Sequence, residues 1–195
     1  MDVLPIALKL RGQRCLLVGG GQIARRKARL LLSAGAVLDV LSPEILPDLQ
    51  QDVQASGGLY RSESYPCALD FRHYRLVIAA TDNAIVNAQV FDDCEALNVL
   101  VNSVDDPPHC RFIVPAIIDR SPLLVSITTN GNAPVLARQL RTKIESLVPA
   151  QYGELAKFSG DWRPQVKALI AEPDTRRIFW ENLYASQIGD RLLSW

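Results

Sequence analysis

A glycine-rich turn near the start of the chain has the residue types and spacing to hold a phosphate group. Gly19, Gly21 and Ala24 follow the apolar run at 15–18 with G-x-G-x-x-A spacing. The first glycine permits a tight turn, the second lets the backbone approach a pyrophosphate, and the small third residue lets helix and strand pack closely. Glycine-rich turns also occur without a ligand. Here a buried strand precedes and a helix start, which attracts anions, follows, so the sequence predicts a dinucleotide site.

Polar residues after two further predicted strands are candidates to contact the same nucleotide. Glu44 follows the second strand, about 20 residues after the glycines, where an acid often holds the adenosine ribose. The alternative is a solvated acid at a helix start, which the helix dipole also favours. Thr81 and Asp82 end a later strand, so they could line the nucleotide; alternatively, Asp82 only caps the next helix.

Two adjacent acids follow the last predicted strand of this region. Asp105 and Asp106 precede Pro107 and Pro108, so a fixed turn displays two carboxylates above the sheet. One of them could take a proton from a substrate if it were buried. The alternative is a turn whose aspartates bond only to their own backbone. His109 is expected to be an exposed loop histidine.

The elements that must position these residues alternate between strand and helix. Apolar runs predict strands at 15–18, 37–41, 75–80 and 99–102, with a weaker strand at 59–63. Helical spacing predicts helices at 22–34 and from Asp82 or Asn83 to about residue 98. The alternation predicts an α/β fold with a Rossmann-like, doubly wound parallel sheet. Ligands of such sheets bind beyond the carboxyl ends of the strands, where the candidates lie.

The pattern changes after residue 111. Apolar runs at 112–118 and 123–128 flank the turn sequence at 119–122, which predicts a β-hairpin. Asn132 is expected to cap a helix that has Pro134 in its first turn and reaches Pro149. Further helices should follow, broken near Pro164 and Pro173. We expect a Rossmann domain at 1–111, a dimerisation segment at 112–149 and a helical domain at 150–195. Because a lone hairpin cannot bury both faces, it should pair with a second copy, giving a homodimer.

Composition narrows the class of protein. The formal net charge of the 195 residues is zero, so no global field favours nucleic acid or an anionic membrane. No apolar stretch is long enough to span a bilayer. The four cysteines are scattered, with neither a C-x-x-C pair nor a histidine cluster, so no metal site is expected. The first residues lack a basic leader, which favours a cytoplasmic protein.

Several segments in combination carry a resemblance to a known family. The chain resembles the precorrin-2 dehydrogenase/ferrochelatase family, which includes the N-terminal half of bacterial siroheme synthase. The matching segments are LPI at 4–6, VGGGQIARRKA at 18–28, AATD at 79–82, VNSVDDP at 101–107, FIVPA at 112–116, DRSP at 119–122 and APVLARQLR at 133–141. They cover most of the chain in order.

The resemblance implies a reaction and its residues. Family members oxidise the tetrapyrrole precorrin-2 to sirohydrochlorin with NAD, and some insert ferrous iron. The resemblance places the family's essential aspartate on Asp105. It places the family's nucleotide contacts on Gly21, Gln22, Ile23, Pro43 and Glu44 and near Thr81 and Asp82. A substrate with many carboxylates suits the arginines at 111, 120, 138 and 141. A serine common in the family is here Thr129, so regulation through it is not expected. The alternative function is an NAD-sensing regulatory domain without turnover.

Overall fold

Five parallel strands form the sheet of the first part of the chain. The computed structural model describes residues 2–186 and divides into two compact units, Met1–Ile113 and Val114–Trp195. In the first unit the strands are β1 (Arg14–Val18), β2 (Val37–Leu41), β3 (Tyr60–Arg61), β4 (Leu76–Ala79) and β5 (Leu100–Ser103). Their order is β3-β2-β1-β4-β5, so the strand order reverses beside β1. A crevice for a ligand is expected at that switch point.

Alternate side chains of the central strand pack against helices on opposite faces of the sheet. The helices of this unit are α1 (Gln22–Ser33), α2 (Pro47–Ala55) and α3 (Ala84–Ala96). Cys15 and Leu17 belong to a buried cluster with residues of α1 and α2. Leu16 and Val18 belong to the other cluster, with residues of α3. The apolar run of β1 is therefore continuous because both faces of the sheet are covered, as predicted.

A buried carboxylate joins three segments of this unit. Asp39 on β2 accepts two hydrogen bonds from Arg14, at 2.8 and 2.7 Å, and is only 7% exposed. It also accepts from the backbone N–H of Leu59 at 2.8 Å and from the Tyr74 hydroxyl at 3.2 Å. Burial raises the pKa of Tyr74 to about 12, and the Asp39 charge adds to the effect. Because the charge is fully hydrogen-bonded, its burial is tolerated. Through Leu59, Asp39 also holds the residue that precedes β3.

The sequence analysis missed one helix and made one strand too long in this unit. Helix α2 was not predicted, although Pro47 in its first turn and the buried pair Leu49 and Val53 are helix signals. Strand β3 is only two residues long, shorter than predicted. Of the two predicted caps of α3, Asp82 and Asn83, the structure has Asn83, because its Oδ1 accepts from the N–H groups of residues 85 and 86.

The second unit consists of a hairpin and three helices. Strands β6 (Ala116–Arg120) and β7 (Leu123–Ile127) pair antiparallel, and α4 (Pro134–Glu145), α5 (Gln151–Leu169) and α6 (Pro173–Tyr184) follow. Its most buried hydrophobic side chains include Ile118, Ala137, Leu155 and Val166. No helix within residues 2–186 combines the length and apolar character that a membrane crossing needs.

Three local predictions for this unit were wrong. The residue before the first turn of α4 is Ala133, not Asn132, and no side chain caps the helix. Helix α5 continues through Pro164 instead of breaking there, whereas the break near Pro173 is confirmed. The residues at 112–115 are not a strand, so β6 begins only at Ala116. The last part of the predicted 150–195 domain lies outside the described residues.

Candidate cofactor-binding site

Gly19 occupies a backbone position that only glycine fits. Its φ is +118°, and an added Cβ would lie 2.5 Å from the Ala80 carbonyl oxygen at the end of β4. Its N–H donates to the Leu41 carbonyl at 2.9 Å. The turn after β1 is therefore held between the ends of β2 and β4, which is where the predicted tight turn must lie.

Gly20 was not singled out from the sequence, yet it is the most crowded of the three glycines. A Cβ there would lie 2.0 Å from the Glu44 carbonyl oxygen. The Gly20 carbonyl also accepts from the N–H of Leu46 at 3.1 Å. The close approach of a distant loop explains this glycine, and the G-x-G-x-x-A pattern contains no signal for it.

Gly21 meets open space instead of protein. Nothing lies within 4 Å of a Cβ built on it, and it is the residue that precedes α1, with no side chain capping the helix. The first N–H groups of α1 therefore have no side-chain acceptor there, as a pyrophosphate site requires. Ala24, one turn later, is fully buried and allows the close packing expected of the third small residue.

A cleft of about 420 Å³, including its open mouth, lies at the carboxyl ends of the strands. Its lining contains Gly19, Pro43, Thr81 and Asp82 from the predicted set. It also contains Glu63, Ser64 and Tyr65 after β3, which the sequence analysis did not single out as site residues. The other predicted contacts, Gly21, Gln22, Ile23 and Glu44, are exposed and do not line this cleft. Contact of any of these residues with a nucleotide stays a prediction.

Hydrogen bonds fix the side of the cleft formed by the end of β4. Thr81 donates from its N–H and its hydroxyl to Asn87 Oδ1, at 3.2 and 2.7 Å, and Asn87 Nδ2 donates back to the Thr81 carbonyl at 3.1 Å. Asn87 is buried on α3. Because Asn83 caps α3, the exposed Asp82 is left with its carboxylate available to a ligand.

The segment after β3 is fastened to the loop after β2. The Pro43 carbonyl accepts from the Tyr60 hydroxyl at 3.2 Å and from the Ser62 hydroxyl at 3.1 Å. Tyr65 is 9% exposed and donates to Asp93; burial, together with this hydrogen bond and the Asp93 charge, raises its pKa. These cleft residues follow a strand of the parallel sheet, and that position is a sequence signal for ligand binding. Because β3 is only two residues long, its end was hard to place from the sequence.

Asp105 lies at the end of β5 in an unusual backbone conformation. Its φ is +60°, a region that few residues other than glycine adopt, although Asp and Asn tolerate it best. It is exposed, so the burial proposed for a proton-accepting carboxylate is not found. Burial lowers the pKa of the neighbouring Lys27 on α1, an effect that the Asp105 charge partly offsets.

Asp106 and His109 form a pair, which the sequence analysis did not foresee. His109 Nδ1 lies 2.7 Å from Asp106 Oδ2, and the ring makes an edge contact with Phe91 at 5.0 Å between centroids. His109 is half-buried, so the expectation of an exposed loop histidine was wrong. This pair braces the turn that carries Asp105.

The predicted basic surface is largely engaged within each unit. In the first unit, Arg111 pairs with Glu95 and stands 5.4 Å from the Phe91 ring centre. In the second, Arg120 donates to the Val148 carbonyl at 2.9 Å, and Arg141 pairs with Glu145 at 3.2 Å. Arg138 is exposed.

Burial disfavours the thiolate form of the four cysteines. All four cysteines are free; burial raises the pKa of Cys15 to about 11 and that of Cys94 to about 12, and it also raises the pKa of Cys67 and Cys110. Thiolate is therefore scarce near pH 7. Within residues 2–186 no three His, Cys, Asp or Glu side chains cluster as metal ligands.

The fold and the glycine turn define a dinucleotide-binding α/β protein with a separate hairpin-and-helix unit. A family model described as putative NAD(P)-binding matches residues 6–116, more than half of the chain. Two further models follow in order: sirohaem biosynthesis protein central at 120–147 and sirohaem synthase dimerisation region at 151–194. The chain belongs to this NAD(P)-binding family, and two sirohaem synthase regions follow the NAD(P)-binding region in the same chain. The resemblance identified from the sequence is therefore confirmed.

Individual relatives agree with this assignment. Siroheme synthase of Acinetobacter baylyi is 58% identical over 194 residues, covering 100% of this chain and 42% of that protein. Siroheme synthase of Chromobacterium violaceum is 50% identical over 196 residues, covering 100% and 41%. The chain thus spans about two fifths of the length of these relatives. Among solved structures, SirC, a precorrin-2 dehydrogenase, has a TM-score of 0.75 at 22% identity over 98% of each chain, which confirms the fold.

Proposed function

We propose that this chain is an NAD-dependent dehydrogenase module that oxidises precorrin-2 to sirohydrochlorin. The observation that carries the proposal is the open helix start at Gly21, set beside a cleft at the switch point of the sheet. The name of the relatives, siroheme synthase, and that of the structural neighbour, precorrin-2 dehydrogenase, supply the substrate class.

The residues of the site have distinct proposed roles. The backbone at Gly21, Gln22 and Ile23 would hold the pyrophosphate, and Pro43 and Thr81 would border the adenosine. NAD, when bound, accepts the hydride, so the protein needs mainly to orient the two reactants. The oxidation also releases protons, and we assign Asp105 to receive one of them or to orient the macrocycle. Its exposure leaves it accessible to a large substrate.

We extend the proposal to the assembly and to a second activity. The sirohaem synthase dimerisation match supports a homodimer, and we place the module in the cytoplasm. The name siroheme synthase supports ferrous iron insertion as a further step, with iron as a substrate. An anaerobic assay with sirohydrochlorin and ferrous iron tests that step. If the siroheme spectrum does not form, this second activity is ruled out.

The dehydrogenase proposal is tested by turnover. Purified protein mixed with NAD and precorrin-2 should produce NADH absorbance together with the sirohydrochlorin spectrum, in equal amounts. Nucleotide binding without turnover, under conditions in which a known dehydrogenase works, would favour the NAD-sensing regulatory domain instead.

A further inference from the structure

An ion pair borders the adenosine side of the cleft. Glu63 lines the cleft, and both of its carboxylate oxygens accept from Arg61 Nη2, at 3.1 and 3.0 Å. Arg61 Nη1 also donates to the Ala68 carbonyl at 3.2 Å. The guanidinium is therefore directed to a carboxylate and a carbonyl, and only the acid of the pair is part of the cleft lining.

A hydrogen bond of the neighbouring residue holds Glu63 near the end of β2. Ser62, the preceding residue, donates to the Pro43 carbonyl at 3.1 Å, so Glu63 is held beside the end of β2. In sheets of this order, the adenosine ribose of a dinucleotide lies at the end of β2. Glu44, the acid at the usual sequence spacing, is exposed and absent from the cleft lining, and its carbonyl packs on Gly20.

The charges of the lining are one-sided. Glu63 and Asp82 are its acids, and no lysine or arginine contributes to it among the residues that the structure describes. A carboxylate accepts hydrogen bonds from ribose hydroxyls, whereas a 2′-phosphate carries negative charge that a nearby carboxylate repels. A cleft that accepts the 2′-phosphate needs a free cation, commonly an arginine.

We infer that Glu63, held by Arg61, makes this cleft selective for NAD over NADP. The inference rests on the proposed nucleotide binding and deepens it. Glu63 acts in two ways: its carboxylate accepts from the ribose hydroxyls, and it engages the Arg61 guanidinium, which could otherwise pair with a 2′-phosphate. Glu44 at the expected spacing then has no role in selection.

The test measures dissociation constants of NAD and NADP for the full chain by calorimetry. Glu63→Gln removes the charge at nearly constant size and frees Arg61, so the ratio of NADP to NAD dissociation constants should fall by about tenfold or more. The double variant Glu63→Gln with Arg61→Ala should lose most of the gain in NADP affinity, because the freed guanidinium is gone.

Asp70→Asn is the matched control. Asp70 pairs with Arg72 at 2.9 and 3.1 Å, two residues apart like Arg61 and Glu63, but it does not line the cleft. The ratio of NADP to NAD dissociation constants of the Asp70→Asn protein should equal that of the unchanged protein. Thermal unfolding checks that each variant is folded, which is expected because the Glu63 side chain is 49% exposed.

The outcomes separate this inference from the proposed function. A Glu63→Gln protein that binds NAD with an unchanged ratio overturns the inference alone. A change of ratio in Glu44→Gln but not in Glu63→Gln returns selection to the acid at the usual spacing and also overturns it. An unchanged protein that binds neither nucleotide refutes the dinucleotide site itself.

Discussion

The three consecutive glycines do three different things. Gly19 and Gly20 are required by protein atoms, since a Cβ would lie 2.5 Å from the Ala80 oxygen at one and 2.0 Å from the Glu44 oxygen at the other. Gly21 is the one that leaves space for a ligand. Substitutions at neighbouring positions should therefore separate folding from binding.

We expect Gly21→Asp to abolish NAD binding while the protein stays folded. The new side chain meets no protein atom, but it places a negative charge where we propose that the pyrophosphate lies. Gly20→Ala should instead lower the melting temperature, because the Glu44 backbone must move. Calorimetry with NAD and thermal unfolding of both variants check this pair. An unchanged NAD dissociation constant in Gly21→Asp would refute the placement.

Asp105→Asn should lower the rate of precorrin-2 oxidation by a factor of roughly 10² to 10⁴, the usual cost of losing a general base. Asparagine is chosen over alanine because it tolerates the φ of +60°. The NAD dissociation constant should not change, since we assign the residue to the substrate and not to the nucleotide. Steady-state turnover with NADH detection measures the effect. Near-normal turnover would move the role to Asp106 or remove it.

Sequence spacing located part of the candidate site and missed the rest for a physical reason. Gly19, Gly21 and Ala24 form a local motif, so a pattern reveals them. Gly20 is required by its approach to Glu44, and Glu63 shares the cleft lining with residues at the end of β2; both neighbours are far away in the chain. Those contacts exist only after the sheet has formed.

At the scale of elements, continuous apolar strands were the most predictable feature. Strands β1 and β2 match the predicted runs because burial on both faces selects apolar residues at most positions, with the hydrogen-bonded Asp39 as the exception in β2. Helix α2 was missed because its buried face is only two residues, Leu49 and Val53. Pro164 was taken as a break, yet its helix α5 has buried residues on both sides, Leu155 and Val166, so packing outweighs the local cost.

Two glycines of α5 should respond oppositely to alanine. A Cβ on Gly153 would lie 2.2 Å from the Arg120 carbonyl at the end of β6, whereas a Cβ on Gly160 meets nothing within 4 Å. Gly153→Ala should lower the melting temperature by separating helix from hairpin. Gly160→Ala should raise stability by about 0.5–1 kcal/mol, because alanine loses less backbone entropy in a helix. Thermal and denaturant unfolding measure both. Equal effects would contradict the contact.

At the scale of the whole molecule, the homodimer remains a prediction with two candidate surfaces. The sequence analysis assigned the hairpin, whereas the family model described as a dimerisation region matches 151–194. Both have exposed apolar side chains, Leu124 at 57% on β7 and Leu169 at 85% on α5. The alternation of β7, with half-buried Val125 and Ile127, makes Leu124 the cleaner target.

Light scattering at micromolar concentration should give twice the 21.6 kDa of the single chain. Leu124→Glu should shift the protein to the single-chain mass, because a charge in an apolar contact is costly to bury. Leu169→Glu is the comparison. Dissociation by Leu169→Glu alone would move the interface to α5, and a single-chain mass for the unchanged protein would refute the dimer.

The contact between Gly20 and the loop after β2 has a thermodynamic consequence for the nucleotide. Two backbone hydrogen bonds, Gly19 N–H to Leu41 at 2.9 Å and Leu46 N–H to Gly20 at 3.1 Å, set the turn in the folded chain. The turn loses its conformational entropy during folding, so nucleotide binding does not have to order the turn a second time. The glycine turn is thus already ordered for the nucleotide that we propose it binds, and the affinity should not be reduced by a cost of ordering the loop.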